Sequence, residues 1–166
     1  VRPACLLVIG EVRSREQEHL TTFRAEHPEA AARVLVTGRL DAPEDVAAHL
    51  RLCDVYLQPS LWDGMPNAML EAMACGAPVL TTRALALPEV GGDAVEYAEP
   101  TADGIATALR GLLADPARRA ELSAAAVERA ARRRAAGAGR GRGPSGGVLG
   151  RVCAVQAAGA GLTRCE

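Results

Sequence analysis

Asp63 and Glu71 stand eight positions apart in LWDGMPNAMLEAMACG, residues 61 to 76, and between them lie Gly64, Met65, Pro66 and Asn67. Met, Ala and Leu dominate the second half of this stretch, which predicts a short helix opened by Pro66 and ended by Gly76-Ala77-Pro78. A carboxylate facing a core is costly without a partner or water, and the stretch offers no basic residue of its own. Asn67 and Glu71 are four apart and so share a helix face, while Leu70, Met73 and Ala74 form the opposite, core-facing stripe. The free N–H groups and the dipole at the start of such a helix favour an anion, and Gly64 lets a ligand approach the backbone. A phosphate fits there. Glu71, about one and a half turns below it, can accept two hydroxyl hydrogen bonds, and a ribose supplies two. Asp63, in the loop, can accept from hydroxyls of whatever the phosphate carries. The residues alone leave a second reading open, in which Glu71 is a solvated edge residue and the helix start holds only water.

The elements that would position these residues are legible from hydrophobic period. Cys5–Ile9, Val34–Val36, Val55–Leu57 and Val79–Thr81 are short, continuous apolar runs, which suit strands buried on both faces of a parallel sheet; Val95–Tyr97 is a weaker fifth. Helical patterns fill the gaps. Ser14 with Gln17 makes a capping box, and Pro28 closes that helix. Pro43 takes a first helical position ahead of Val46, Leu50 and Cys53. Ile105, Leu109, Leu112 and Leu113 mark another helix, and Asp115-Pro116 starts the last, which runs to about Arg134. The order is that of an α/β, Rossmann-like three-layer sandwich with a parallel sheet. Ligands of such sheets bind beyond the carboxyl ends of the strands, where Gly10, Gly38, Pro59-Ser60 and Thr82-Arg83 lie. Arg83 is there either a surface residue or a phosphate contact.

Composition narrows the class. The chain has 166 residues, the size of one ordinary domain, and is 49% hydrophobic, enough for a real core, with 2% aromatic residues. A net charge of −1 favours neither nucleic acid nor an acidic membrane as partner. The charge is unevenly spread: residues 1–129 carry 12 arginines against 19 carboxylates, net −7, and residues 130–166 carry 7 arginines against Glu166, net +6. From about residue 135 the period dissolves into Gly, Ala and Arg. Two parts follow, a folded domain over 1–134 and a low-complexity, disordered tail over 135–166. GC-rich DNA read out of frame would give the same tail composition. Cys5, Cys53, Cys75, Cys153 and Cys165 form no C-x-x-C and no His lies at ligand spacing, so reduced thiols in a cytosolic setting and no metal are expected. No apolar run reaches about 18 residues. Neither G-x-G-x-x-G nor G-K-[ST] occurs, which argues against a nicotinamide enzyme or a P-loop NTPase.

PSLWDGMPNAMLEAMACGAPVLTT, residues 59 to 82, resembles the donor-site signature of family 4 (glycosyl transferases group 1) retaining glycosyltransferases, an acidic residue followed eight positions later by Glu-Ala-Met-Ala-x-Gly-x-Pro-Val. LPEVGGDA (87 to 94) and LLADPARRAEL (112 to 122) are similar to later segments of that family, so the resemblance covers about residues 5 to 132. It implies the C-terminal, donor-binding lobe of a GT-B fold and transfer of a sugar from a UDP-, GDP- or ADP-sugar with retention, without bound metal. By that resemblance Glu71 holds the ribose, Asp63 stands at the donor sugar, Gly64, Met65, Pro66 and Asn67 line the diphosphate and sugar, and the loop with Gly38 and Leu40 seats the base. The acceptor, whether glycan, lipid or small molecule, is left open, and no nucleic acid is expected.

Asp63 is one methylene shorter than the Glu usual in that family. The basic pair that the family places on the diphosphate, and its acceptor-binding N-terminal lobe, would precede Val1. The expectation is therefore a fragment, with the other lobe missing or supplied by a separate chain. The full-length enzyme is expected in the cytoplasm or peripherally at the cytoplasmic face of a membrane. Two other readings stand beside this one: a non-catalytic nucleotide-binding or interaction module, and a non-functional truncated fragment.

Overall fold

In a computed structural model of the chain, the structure describes residues 4–12, 14–137 and 151–156. Strands β1 (Ala4–Ile9), β2 (Val34–Val36), β3 (Val55–Gln58) and β4 (Val79–Thr81) fall on the continuous apolar runs of the sequence, and β5 (Glu96–Tyr97) on the weaker fifth. Helices α1 (Ser14–Glu26), α2 (Pro28–Ala31), α3 (Pro43–Arg51), α4 (Asn67–Ala74), α5 (Leu87–Gly91), α6 (Ala102–Ala114) and α7 (Pro116–Gly137) connect or follow them. Pro28 does not simply close α1: it takes a first-turn position of α2, where its missing N–H costs nothing.

The strands form one sheet in the order β2-β1-β6-β3-β4-β5, where β6 is Arg151–Gln156. β1–β2, β3–β4 and β4–β5 pair in parallel. The chain thus winds outward in both directions from the gap between β1 and β3, the layout of a doubly wound Rossmann-like sheet. β6 fills that gap antiparallel to both neighbours, with Val152 opposite Val8 and Leu57. Residues 151–156 were expected in the low-complexity tail, yet they make the central strand, and α7 continues to Gly137. Val152, Cys153, Ala154 and Val155 form a short unbroken apolar run like those of β1 to β4, but it stands among the Gly and Ala of a low-complexity stretch that obscures it. The remainder of the expected tail, 138–150 and 157–166, lies outside the described residues.

Alternate side chains of β3 and β4 serve two cores. On one face Tyr56 and Val79 pack with Ile9, Leu50, Met69, Met73, Leu87 and Ala126; on the other Val55 and Leu80 pack with Leu112 and Leu122. Helices on both faces make the three layers. α7 reaches both cores, through Leu122 on one side and Ala126 and Ala130 on the other. α4 turns Met69, Ala72 and Met73 fully inward, and each buried Met contributes about 1.5–3 kcal/mol relative to exposure. This stripe replaces the expected Leu70, Met73 and Ala74: Pro66 is the residue before the helix rather than its first turn, and Ala74 is exposed.

Cys5 and Cys75 are free thiols, whereas Cys53 is disulfide-bonded, a departure from five reduced cysteines. Pairing is decided by tertiary proximity, which sequence spacing without a C-x-x-C does not encode.

Candidate functional site

β3 ends at Gln58, and the chain passes through residues 59–66 before α4 begins at Asn67. Neighbouring β4 pins this loop. Thr81 Oγ1 donates to Gln58 O at 3.0 Å, and Thr82 Oγ1 donates to Ser60 O. Further along, the Ala86 N–H donates to Asp63 O at 3.3 Å, tying the loop to the segment after β4. The half-buried carboxylate of Asp63 accepts on both oxygens, from Gln58 Nε2 at 2.6 Å and from the Met65 N–H at 3.0 Å. The second of these is an Asx turn, which folds the backbone over Gly64.

At the start of α4 the Asn67 N–H donates to Met65 O at 2.8 Å, and no side chain caps the helix from Pro66. Pro66 thus offers no side-chain acceptor to the first-turn amides of Ala68 and Met69, at the positive end of the helix dipole. Gly64 is exposed, and a Cβ built on it would meet nothing within 4 Å. Asn67 is half-buried and Glu71 is exposed, and their spacing puts them on the same face of α4, away from Met69, Ala72 and Met73. The structure thus brings Asp63, Gly64, Met65, Pro66, Asn67 and Glu71 onto one loop and the helix it starts.

Gly38 and Leu40 follow β2 on the same edge of the sheet. Gly38 holds a φ of +71° and bridges to Gly10, whose N–H donates to Thr37 Oγ1 at 3.1 Å. Leu40 is half-buried and packs against the larger core. β2 stands three places from β3, roughly 14 Å at ordinary strand spacing.

Several residues at this edge carry no signal in the strand and helix periods. Leu61, Trp62, Met65 and Leu85 are exposed, Trp62 by 83%. Leu85 has a φ of +42°, a left-handed conformation that is costly for a leucine. The clustering of Leu61 and Trp62 in a loop was the only trace of this patch in the sequence. Arg83 stacks on the Tyr97 ring with 4.1 Å between guanidinium carbon and centroid. Burial pushes the Tyr97 phenol up from 10.0, and the charges of Arg83 and Arg129 oppose that shift.

An open groove of about 580 Å³ runs along α1, lined by Val12, Ser14, Gln17, Glu18, Thr21 and Thr22. It includes none of the loop–α4 residues, and its lining is mostly the polar outer side of α1. Among the described residues no group of three or more His, Cys, Asp or Glu could hold a metal ion, and no helix is long and apolar enough to cross a membrane.

A doubly wound sheet with a strand-loop-helix turn at its switch edge defines a Rossmann-like domain of the kind that forms one lobe of GT-B glycosyltransferases. The sequence model described as "Glycosyl transferases group 1" matches residues 1–115, and the chain belongs to that family. It is 38% identical over 78 residues to the MMP alpha-(1->4)-mannosyltransferase of Mycolicibacterium hassiacum, a match covering 45% of this chain and 19% of that protein. It is 35% identical over 77 residues to the O-antigen chain mannosyltransferase B of Escherichia coli, covering 46% of this chain and 20% of that protein. The matches thus span about a fifth of the length of these two relatives.

Among solved structures, sucrose-phosphate synthase from Thermosynechococcus elongatus aligns with a TM-score of 0.68 at 25% identity, over 76% of this chain and 33% of that one. The C-terminal domain of a glycosyl transferase group 1 family protein, LpcC, from Francisella tularensis aligns with a TM-score of 0.66 at 24% identity, over 76% of this chain and 67% of that one. Anabaena HepE, solved in complex with UDP, aligns with a TM-score of 0.64 at 21% identity, over 76% of this chain and 36% of that one.

Proposed function

We propose that this chain is the donor-binding lobe of a retaining glycosyltransferase and binds a nucleoside-diphosphate sugar at the loop–α4 turn. The observation that carries the reading is the start of α4, where Pro66 supplies no side-chain cap, with open space over Gly64 before it and Glu71 exposed one turn beyond Asn67. The diphosphate takes the amides at that helix start, where the dipole stabilises its charge and the charge that develops as the sugar leaves. Glu71 accepts from the two ribose hydroxyls. Gly64, Met65, Pro66 and Asn67 line the diphosphate and sugar, with Asp63 behind the sugar. The base lies toward Gly38 and Leu40, across the separation between β3 and β2, which is on the scale of an extended nucleotide.

The base is that of UDP, GDP or ADP, and relatives that are mannosyltransferases, together with a neighbour solved with UDP, support a nucleotide-sugar donor. The acceptor belongs to the second lobe of such an enzyme, so transfer needs that lobe, whether on the same polypeptide or on another. No metal is assigned; the amides at the start of α4 offset part of the charge of the leaving diphosphate. Titration calorimetry of UDP, GDP, ADP and their sugars tests the reading. One base is expected to bind selectively, with affinity falling about tenfold or more, or 1.4 kcal/mol, in Glu71→Ala. Equal affinities in wild type and Glu71→Ala would move the site elsewhere.

A further inference from the structure

Two polar side chains buried behind the loop have no part in the reading above. Tyr56 is 2% exposed and Gln58 is 8% exposed, two positions apart on β3 and so on the same face. The Tyr56 hydroxyl donates to Gln58 Oε1 at 3.2 Å, and Gln58 Nε2 donates to Asp63 Oδ2 at 2.6 Å. Asp63 Oδ1 accepts the Met65 N–H at 3.0 Å. The chain therefore runs hydroxyl to amide to carboxylate to loop backbone.

Its direction is fixed by chemistry. An ionised carboxylate only accepts, so the amide must present nitrogen to Asp63 and oxygen to Tyr56. Burying an amide in a strand between two cores is unfavourable unless both ends are satisfied, and an apolar residue would serve the core better. Here both ends are satisfied, and what the arrangement fixes is the rotamer of Asp63. A short acidic side chain reaches the N–H two residues on, and Gln58 spans the remaining distance to the core.

We propose that Gln58, backed by Tyr56, is a positioning residue: it holds Asp63 in the rotamer that shapes the Gly64–Met65 backbone for the sugar-phosphate half of the donor. Binding of a nucleotide sugar then depends on Gln58 more than binding of the bare nucleotide does. This rests on the donor reading of the loop, and the loop order it predicts is measurable without ligand.

The test compares wild type, Gln58→Leu, Gln58→Met and Tyr56→Phe on the full chain. Dissociation constants are taken for UDP, GDP, ADP and their glucose or mannose derivatives, and hydrogen exchange is followed at the Met65 amide. In Gln58→Leu, affinity for the sugar nucleotide is expected to fall about tenfold while that for the bare nucleotide changes by less than about threefold, with faster exchange at Met65. Tyr56→Phe is expected to move both readouts the same way by a smaller factor. Should Gln58→Leu fail to fold, Gln58→Met and Tyr56→Phe carry the comparison. Parallel loss of nucleotide and sugar nucleotide, or no loss of either, overturns the proposal. If the wild type binds none of these ligands the donor reading fails, and the inferred preference with it. Met65 exchange unchanged in every folded variant refutes the positioning itself, whatever the ligand results.

Discussion

The Arg83 guanidinium carbon lies 4.1 Å from the centroid of the Tyr97 ring. The contact joins the segment after β4 to the end of β5. The Tyr97 hydroxyl donates to Gly92 O at 2.9 Å, so ring and hydroxyl together fix Arg83 beside the α5 turn. Burial raises the Tyr97 pKa above 10.0, with Arg83 and Arg129 pulling against it. A raised folded-state pKa means the unfolded chain loses its proton first. The stabilisation is complete below the unfolded pKa and is lost as pH rises through the folded one. Urea unfolding from about pH 8 to about pH 11 is expected to show wild-type stability falling above about pH 10, and Tyr97→Phe is expected to lose part of that fall. Identical slopes for both proteins would contradict this.

Gly64→Ala separates site from fold. A Cβ there meets nothing within 4 Å, so stability is expected to stay within about 0.5 kcal/mol of wild type. The methyl group would stand in the space assigned to the diphosphate. Nucleotide-sugar affinity is therefore expected to drop about tenfold, read by calorimetry beside a melting curve. Unchanged affinity would place the diphosphate elsewhere.

Met73→Ala acts in the opposite sense. Met73 is fully buried between α4 and the sheet, and its truncation is expected to cost about 2–5 kcal/mol by urea denaturation. Glu71→Gln, at an exposed position on the same helix, is expected to change stability by less than about 0.5 kcal/mol. A large cost at Glu71 would make it a structural carboxylate rather than a ligand contact.

The contrast within α4 shows how far the sequence could be read. The helix, its Gly76 stop and the outward Asn67–Glu71 pair were legible, because a carboxylate among apolar residues breaks the pattern in one direction only. The core stripe was placed one residue late, since Pro66 suits both the first turn and the position before it, and only the backbone distinguishes them. β1 to β4 were visible as unbroken apolar runs, and β5 as a weaker one interrupted by Glu96. β6 was not, because Ala and Gly around Val152–Val155 blur both periods and its pairing depends on strands more than 90 residues away. Gln58 is hidden for a related reason: the apolar run stops at Leu57, and an amide satisfied by Tyr56 and Asp63 leaves no periodic trace.

Arg129 tests how the segment before β5 is held. Its Nε donates to Val90 O at 2.6 Å and its Nη2 to Glu89 O at 2.7 Å, so α7 caps the carboxyl end of α5. Arg129→Met keeps the aliphatic stem and removes both bonds. A loss of about 1.5–3 kcal/mol is expected in urea unfolding, with nucleotide affinity unchanged. A loss of affinity would bring this segment into the site.

The central claim is that a nucleotide sugar binds at the start of α4. Its most direct test is amide NMR on the isotope-labelled chain, titrated with UDP-, GDP- and ADP-sugars. The account predicts that one nucleotide sugar moves the amides of Gly64, Met65, Ala68 and Met69 together, at a single saturating concentration, and that Glu71→Ala weakens that response. Shifts confined to the groove along α1, or none at all from a folded protein, would contradict it.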